Sequence, residues 1–121
     1  MNSVEKYVKE LYDEENPYLL IIVEKNGLDK KSGIAHIYSK NEEKVLKYDN
    51  EDRFFEKINK ICKRLELYKT VREHSRGFII FAYDKNYATP RKQKRWYEWI
   101  KEKVEEKRLE VGDFTIWVLV G

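Results

Sequence analysis

Only one cysteine occurs in the chain, Cys62, and its isolation excludes an internal disulfide and any zinc site built from several thiolates. It falls on the apolar face of a predicted helix, where a buried core thiol is expected rather than a nucleophile. Proline and glycine are sparse, at two and five residues. No linker, repeat or low-complexity tract divides the chain, and 121 residues leave room for one domain, read here as a single α/β domain over 1–121. Long apolar runs are missing too. The longest, Tyr18 to Val23, is far too short to span a bilayer. Val4 to Leu11 is interrupted by Glu5, Lys6, Lys9 and Glu10, so it has no signal-peptide core. A cytoplasmic location without membrane contact is the expectation.

Recognisable catalytic motifs are missing as well. There is no glycine-rich phosphate loop, no nucleophile elbow and no Ser/His/Asp arrangement that spacing could locate. The chain has two histidines. His36 lies in Ala35-His36-Ile37-Tyr38, without a second histidine two residues on. The Tyr97-x-x-x-Lys101 spacing carries little without such a pair. His74 sits in a basic stretch and is expected to be an ordinary solvated imidazole.

What the chain has in abundance is charge. Charged residues make up 39% of it, well above the usual quarter, so most of the surface must be ionic. Lys and Glu dominate that set. The profile suits a hyperthermophile, although a low-GC genome produces the same bias. Aromatics reach 14%. The net charge of +3 is unevenly spread: residues 53–95 carry 13 Lys/Arg against four acids, and the remaining residues carry 12 against 18. A basic middle between acidic ends suggests a polyanionic partner.

Apolar periodicity defines the elements. Val4, Tyr7, Val8, Leu11 and Tyr12 recur at helical spacing, predicting a helix over about 3–14, capped by Asn2 or Ser3 and ended by Asn16-Pro17. Tyr18–Glu24 is continuous, apolar and rich in β-branched residues, a strand buried on both faces. Weaker strands follow at 33–39 and 44–48. A second helix starts at Asp49 or Asn50, buries Phe54, Ile58, Ile61, Cys62 and Leu65, and extends as far as Tyr68 or Val71. Phe78–Tyr83 is a second apolar strand. Thr89-Pro90 opens a third helix, with Thr as N-cap and Pro in the first helical position, and Trp96, Trp99, Ile100 and Val104 along it. Gly112-Asp113 then turns the chain into a last strand, 114–120.

The order α-β-β-β-α-β-α-β predicts an α/β (mixed α+β) fold: a five-stranded mixed sheet with about three helices, an antiparallel meander first and parallel pairing later. Over residues 18–121 this order resembles the ribonuclease H-like fold. The resemblance implies that the first and fourth strands are neighbours. Carboxylates at and near their ends could then hold Mg²⁺ for phosphodiester cleavage, and Glu24, Asp84, Glu51 and Asp52 are the candidate ligands. No other cofactor is implied.

The sharpest local feature is the third helix's start, Thr89-Pro90-Arg91-Lys92-Gln93-Lys94-Arg95-Trp96-Tyr97. Its cations oppose the positive end of the helix dipole, while Glu98, Glu102, Glu105 and Glu106 come late, so the helix is charged against its favoured sense. A bound phosphate would account for this, held by backbone N–H groups and by Arg91, Lys92, Lys94 and Arg95, with Trp96 or Tyr97 stacking on a base. Pairing with the acids at 13–15 is the competing account. Arg53, Lys57, Lys60 and Arg64 form a helical stripe on the second helix. It is either a solvated face or, if both helices share a side of the sheet, part of one basic groove. Three readings follow: a small DNA- or RNA-binding protein, a metal-dependent nuclease of ribonuclease H-like architecture, or a non-catalytic interaction module such as a viral or plasmid-encoded inhibitor or a homodimer.

Overall fold

The computed structural model describes residues 3–12, 15, 17–29, 31–40 and 42–111. Its elements are α1 (Ser3–Leu11), β1 (Tyr18–Lys25), β2 (Gly33–Tyr38), β3 (Glu43–Tyr48), α2 (Glu51–Arg64), β4 (Tyr68–His74), β5 (Gly77–Tyr83), a 3-10 turn at Lys85–Tyr87, and α3 (Pro90–Glu106). The strands form one sheet in the order β3-β2-β1-β5-β4, and every pair is antiparallel.

β1 lies at the centre because both of its faces are apolar. Leu19, Ile21 and Val23 point into a core closed by Val4, Val8 and Leu11 of α1 and by Phe54, Ile58, Ile61 and Cys62 of α2. Tyr18, Leu20 and Ile22 point the other way, onto Trp96, Ile100 and Val104 of α3. The alternation of a strand thus feeds two separate cores. Helices α1 and α2 cover one face and α3 covers the other. Cys62 is buried, and burial pushes its thiol pKa up.

The helix starts follow local chemistry. Asn50 Oδ1 accepts from the Arg53 amide, and Thr89 Oγ1 accepts from the Lys92 amide with Pro90 next in line.

Two expectations are corrected. The second helix does not run to residue 68 or 71. It stops at Arg64, because Glu66 takes a left-handed conformation at φ 56° and its amide and that of Leu67 bond back to the carbonyls of Lys63 and Cys62. This is a Schellman stop made without glycine, so no glycine marks it in the sequence. The chain then forms β4, whose polar residues Lys69, Arg72 and Glu73 suit a strand that, among the described strands, pairs with β5 on one side.

The extra strand also overturns the mixed, ribonuclease H-like sheet. A β4–β5 hairpin replaces the expected crossover, so β5 runs antiparallel to β1 rather than parallel to it. Over the described residues the fold is α+β, with three helices on a five-stranded antiparallel sheet. The strand expected at 114–120 lies outside the described residues. Val111, the last described residue, makes an isolated antiparallel bridge to His74.

Candidate nucleic-acid interface

α3 begins beside the end of the sheet where β1 starts and β5 finishes. The Asp84 amide bonds to the Pro17 carbonyl at 3.0 Å. The Asp84 carboxylate accepts from the Asn86 amide at 2.9 Å and caps the 3-10 turn, which delivers the chain to Thr89. Four cations follow in the first two turns of α3, and the first turn holds no acid. Among the described residues, Arg91, Lys92, Lys94 and Arg95 make no ion pair, although acids elsewhere have found partners, as in Glu5–Arg64, Glu24–Arg76 and Glu51–Lys25. Lys92 instead places its Nζ 5.3 Å from the centre of the Tyr87 ring.

The helix backbone itself has little to offer an anion. Pro90 lacks an N–H, and the amides of Lys92 and Gln93 are taken by the Thr89 side chain and carbonyl. Any phosphate here is held by side chains. Lys92 and Arg95 line a cleft of about 340 Å³ with Lys40, Glu15, Tyr18 and Trp99. Its charge is mixed but mostly positive. Asp13 and Glu14, the other suggested partners, lie outside the described residues.

Trp96 is not a stacking platform. Its side chain is only 4% exposed and packs among Tyr18, Phe81 and Tyr83 at ring separations of 5.2 to 5.6 Å. Tyr97 is half-buried against the same core. The exposed aromatics of this region are two that spacing did not single out. Tyr68, which opens β4, is 48% exposed, and Tyr87, in the 3-10 turn, is 41% exposed. Lys85 Nζ lies 3.3 Å from the Tyr68 hydroxyl and 5.1 Å from its ring centre. The available signal was the position of Tyr87 two residues before the Thr89-Pro90 cap.

The basic stripe of α2 belongs elsewhere. Arg53, Lys57, Lys60 and Arg64 are exposed, but on the face of the sheet opposite α3, so the two basic surfaces do not merge. Arg64 is paired with Glu5, and Lys60 with Glu56 at 3.3 Å. Arg64 holds the Glu5 carboxyl below the usual carboxylate range.

The acidic set does not assemble either. Glu24 pairs with Gly77 in register, whereas Asp84 follows the Tyr18–Tyr83 pair at the other end of the same two strands. Six strand residues separate these ends, about 20 Å. Glu24 faces Arg76 at 3.4 Å, Glu51 faces Lys25 at 3.1 Å from α2, and Asp52 is exposed in the first turn of α2. Among the described residues no three His, Cys, Asp or Glu side chains converge as a metal would require. The expected Mg²⁺ site fails because antiparallel pairing sends the two strand ends in opposite directions.

His74 also departs from expectation. It is buried at 9% exposure, not solvated. Its Nδ1 accepts from the Arg76 amide at 2.9 Å, so Nε2 carries the proton and donates to the Val23 carbonyl at 2.8 Å. Burial lowers its pKa. His36 lies 2.9 Å from Glu43 across the β2–β3 pair.

Compared with known proteins, the chain matches no family model, no curated protein and no solved structure. Among the described residues no helix is long and apolar enough to cross a membrane.

Proposed function

We propose that this chain is a small nucleic-acid-binding protein that contacts phosphates through the start of α3. The observation that carries the reading is the set of four cations, Arg91, Lys92, Lys94 and Arg95, without ion-pair partners among the described residues and placed where the helix dipole disfavours them. Apart from the Lys92–Tyr87 contact, these cations have no charged partner among the described residues to offset the dipole, and a polyanion is the ligand that would favour the arrangement. The α2 stripe is a separate, partly paired surface. The interaction-module reading has less behind it. Among the described residues, the exposed large hydrophobics Leu28, Val45 and Val71 are dispersed over the β1–β2 loop, β3 and β4, and the exposed Tyr68 and Tyr87 each lie against a lysine rather than in an apolar patch.

The test is a binding titration of the pure protein against labelled single-stranded and duplex DNA and RNA, with EDTA, across salt concentrations. The Arg91/Lys92/Lys94/Arg95→Ala variant is measured beside it. Affinity should fall with salt, and the variant should lose about 3 from the magnitude of the log–log slope if all four cations meet phosphates. Absence of binding at low salt would remove the reading.

A further inference from the structure

We infer that the same surface is built for single-stranded nucleic acid, with Tyr68 and Tyr87 as the base-stacking residues. The inference rests on the reading above, that the start of α3 meets phosphates. It adds the substrate class and two residues outside the helix.

Antiparallel register decides where Tyr68 points. It pairs with Tyr83, whose side chain belongs to the core beneath α3, and directly paired residues share a face of the sheet. The two rings lie 6.2 Å apart at 26°, so Tyr68 is held by a rigid aromatic neighbour while nearly half of it meets solvent. Thr70 and Arg72 pair with Phe81 and Ile79 of the same core, so they continue along that face of β4, and Arg72 is exposed. At the other side, Lys85 touches Tyr68, the 3-10 turn carries Lys85 directly to Tyr87, and Lys92 covers the Tyr87 ring. Two exposed tyrosines, each with a lysine against it, thus flank the route from β4 to the start of α3: Tyr68 with Lys85, and Tyr87 with Lys92.

Aromatic rings with cations beside them match the chemistry of a single strand, whose bases expose their faces and whose phosphates recur beside them. A duplex keeps its bases stacked internally and offers such tyrosines nothing. In the free protein the Lys92 ammonium lies over the Tyr87 ring, and the Lys85 ammonium sits at the hydroxyl end of Tyr68. An exposed cation–π contact is weaker than base–aromatic stacking. A base would displace Lys92 from the Tyr87 ring, and both lysines would reach adjoining phosphates.

The experiment uses the full chain and fluorescence anisotropy with oligothymidylate, oligouridylate and a mixed-sequence duplex of equal length. Single strands should bind more tightly than the duplex. Tyr68→Ala and Tyr87→Ala should each weaken single-strand binding roughly 5- to 100-fold with little change for the duplex. Tyr68→Phe and Tyr87→Phe keep the ring and should bind as the parent does, which protects the test if loss of the Tyr68 ring unsettles β4. Salt slopes should stay unchanged in the tyrosine variants. Comparison of the two oligonucleotides tells DNA from RNA. Equal or tighter duplex binding, or alanine variants that bind single strands normally, would overturn the stacking assignment and leave the phosphate reading standing. Failure of the parent protein to bind any of the three would overturn both.

Discussion

His74 donates from Nε2 to the carbonyl oxygen of Val23 across 2.8 Å, tying β4 to β1 over the intervening β5. Either protonation state could make that bond, but the other ring nitrogen requires a neutral imidazole: Nδ1 accepts from the Arg76 amide, which an imidazolium cannot do. Burial pushes the pKa down, so the unfolded chain takes up this proton at a higher pH than the folded one. The contribution of His74 is therefore complete above about pH 6.5, the unperturbed value, and is lost as pH falls towards the folded pKa. Thermal unfolding of the parent and of His74→Gln between about pH 8 and 5 checks this. The parent should lose more stability over that range, and parallel curves would refute the assignment. At neutral pH, His74→Ala should cost about 1–3 kcal/mol by leaving the Val23 carbonyl and the Arg76 amide without their partner.

Gly77 faces the same Val23 carbonyl. A Cβ at position 77 would lie 2.1 Å from that oxygen and 3.0 Å from its carbon, both backbone atoms that flexible side chains cannot relieve. Gly77→Ala should therefore destabilise by about 3 kcal/mol or more and separate β5 from β1. Gly27 is the control, since nothing lies within 4 Å of its Cβ position and its φ is not positive. Gly27→Ala should be neutral or stabilising by up to about 1 kcal/mol. Urea midpoints of the two variants give the comparison.

Glu66 and Arg108 close α2 and α3 in the same way, at φ 56° and 54°. In each case the next residue's amide reaches back to a carbonyl in the last turn, Leu67 to Cys62 and Leu109 to Val104. A non-glycine residue pays roughly 1–2 kcal/mol for that conformation. Glycine avoids it but loses about 0.4–1 kcal/mol through a freer unfolded chain. Glu66→Gly and Arg108→Gly should each stabilise by up to about 1 kcal/mol. A loss of stability in either would mean that its side chain makes a contact worth more than the strain.

These two stops also explain which parts of the fold were legible in the sequence. β1 and β5 were readable because their apolar runs are unbroken, and α3 because Thr89-Pro90 is an explicit start. The end of α2 was not, since Glu66 adopts a backbone shape that glycine ordinarily announces. β4 went unread for the same reason: without a stop, Tyr68 to Val71 looked like a helix tail. One missed strand changed the sheet from mixed to antiparallel and moved Asp84 to the far end from Glu24. The cations at 91–95 were visible as a run. Their lack of partners was not, because pairing depends on which acids the fold brings near. Tyr68 and Tyr87 became site candidates only once register and exposure were known.

The charge pattern of α3 sets stability against binding, and that opposition can be measured. Arg91 and Lys92 lie in the first turn, where each opposes the dipole by about 0.3–1 kcal/mol. Arg91→Glu/Lys92→Glu replaces two disfavoured charges by two favoured ones and should raise the unfolding free energy by about 1 kcal/mol or more at low ionic strength. The gain should shrink as salt screens the field. If the cations exist to meet phosphates, the more stable protein should bind nucleic acid far more weakly at low salt. A variant that is more stable and binds as before would place the contact elsewhere. A variant that is less stable would show that these cations stabilise the fold through partners of their own, and their placement would then need no ligand.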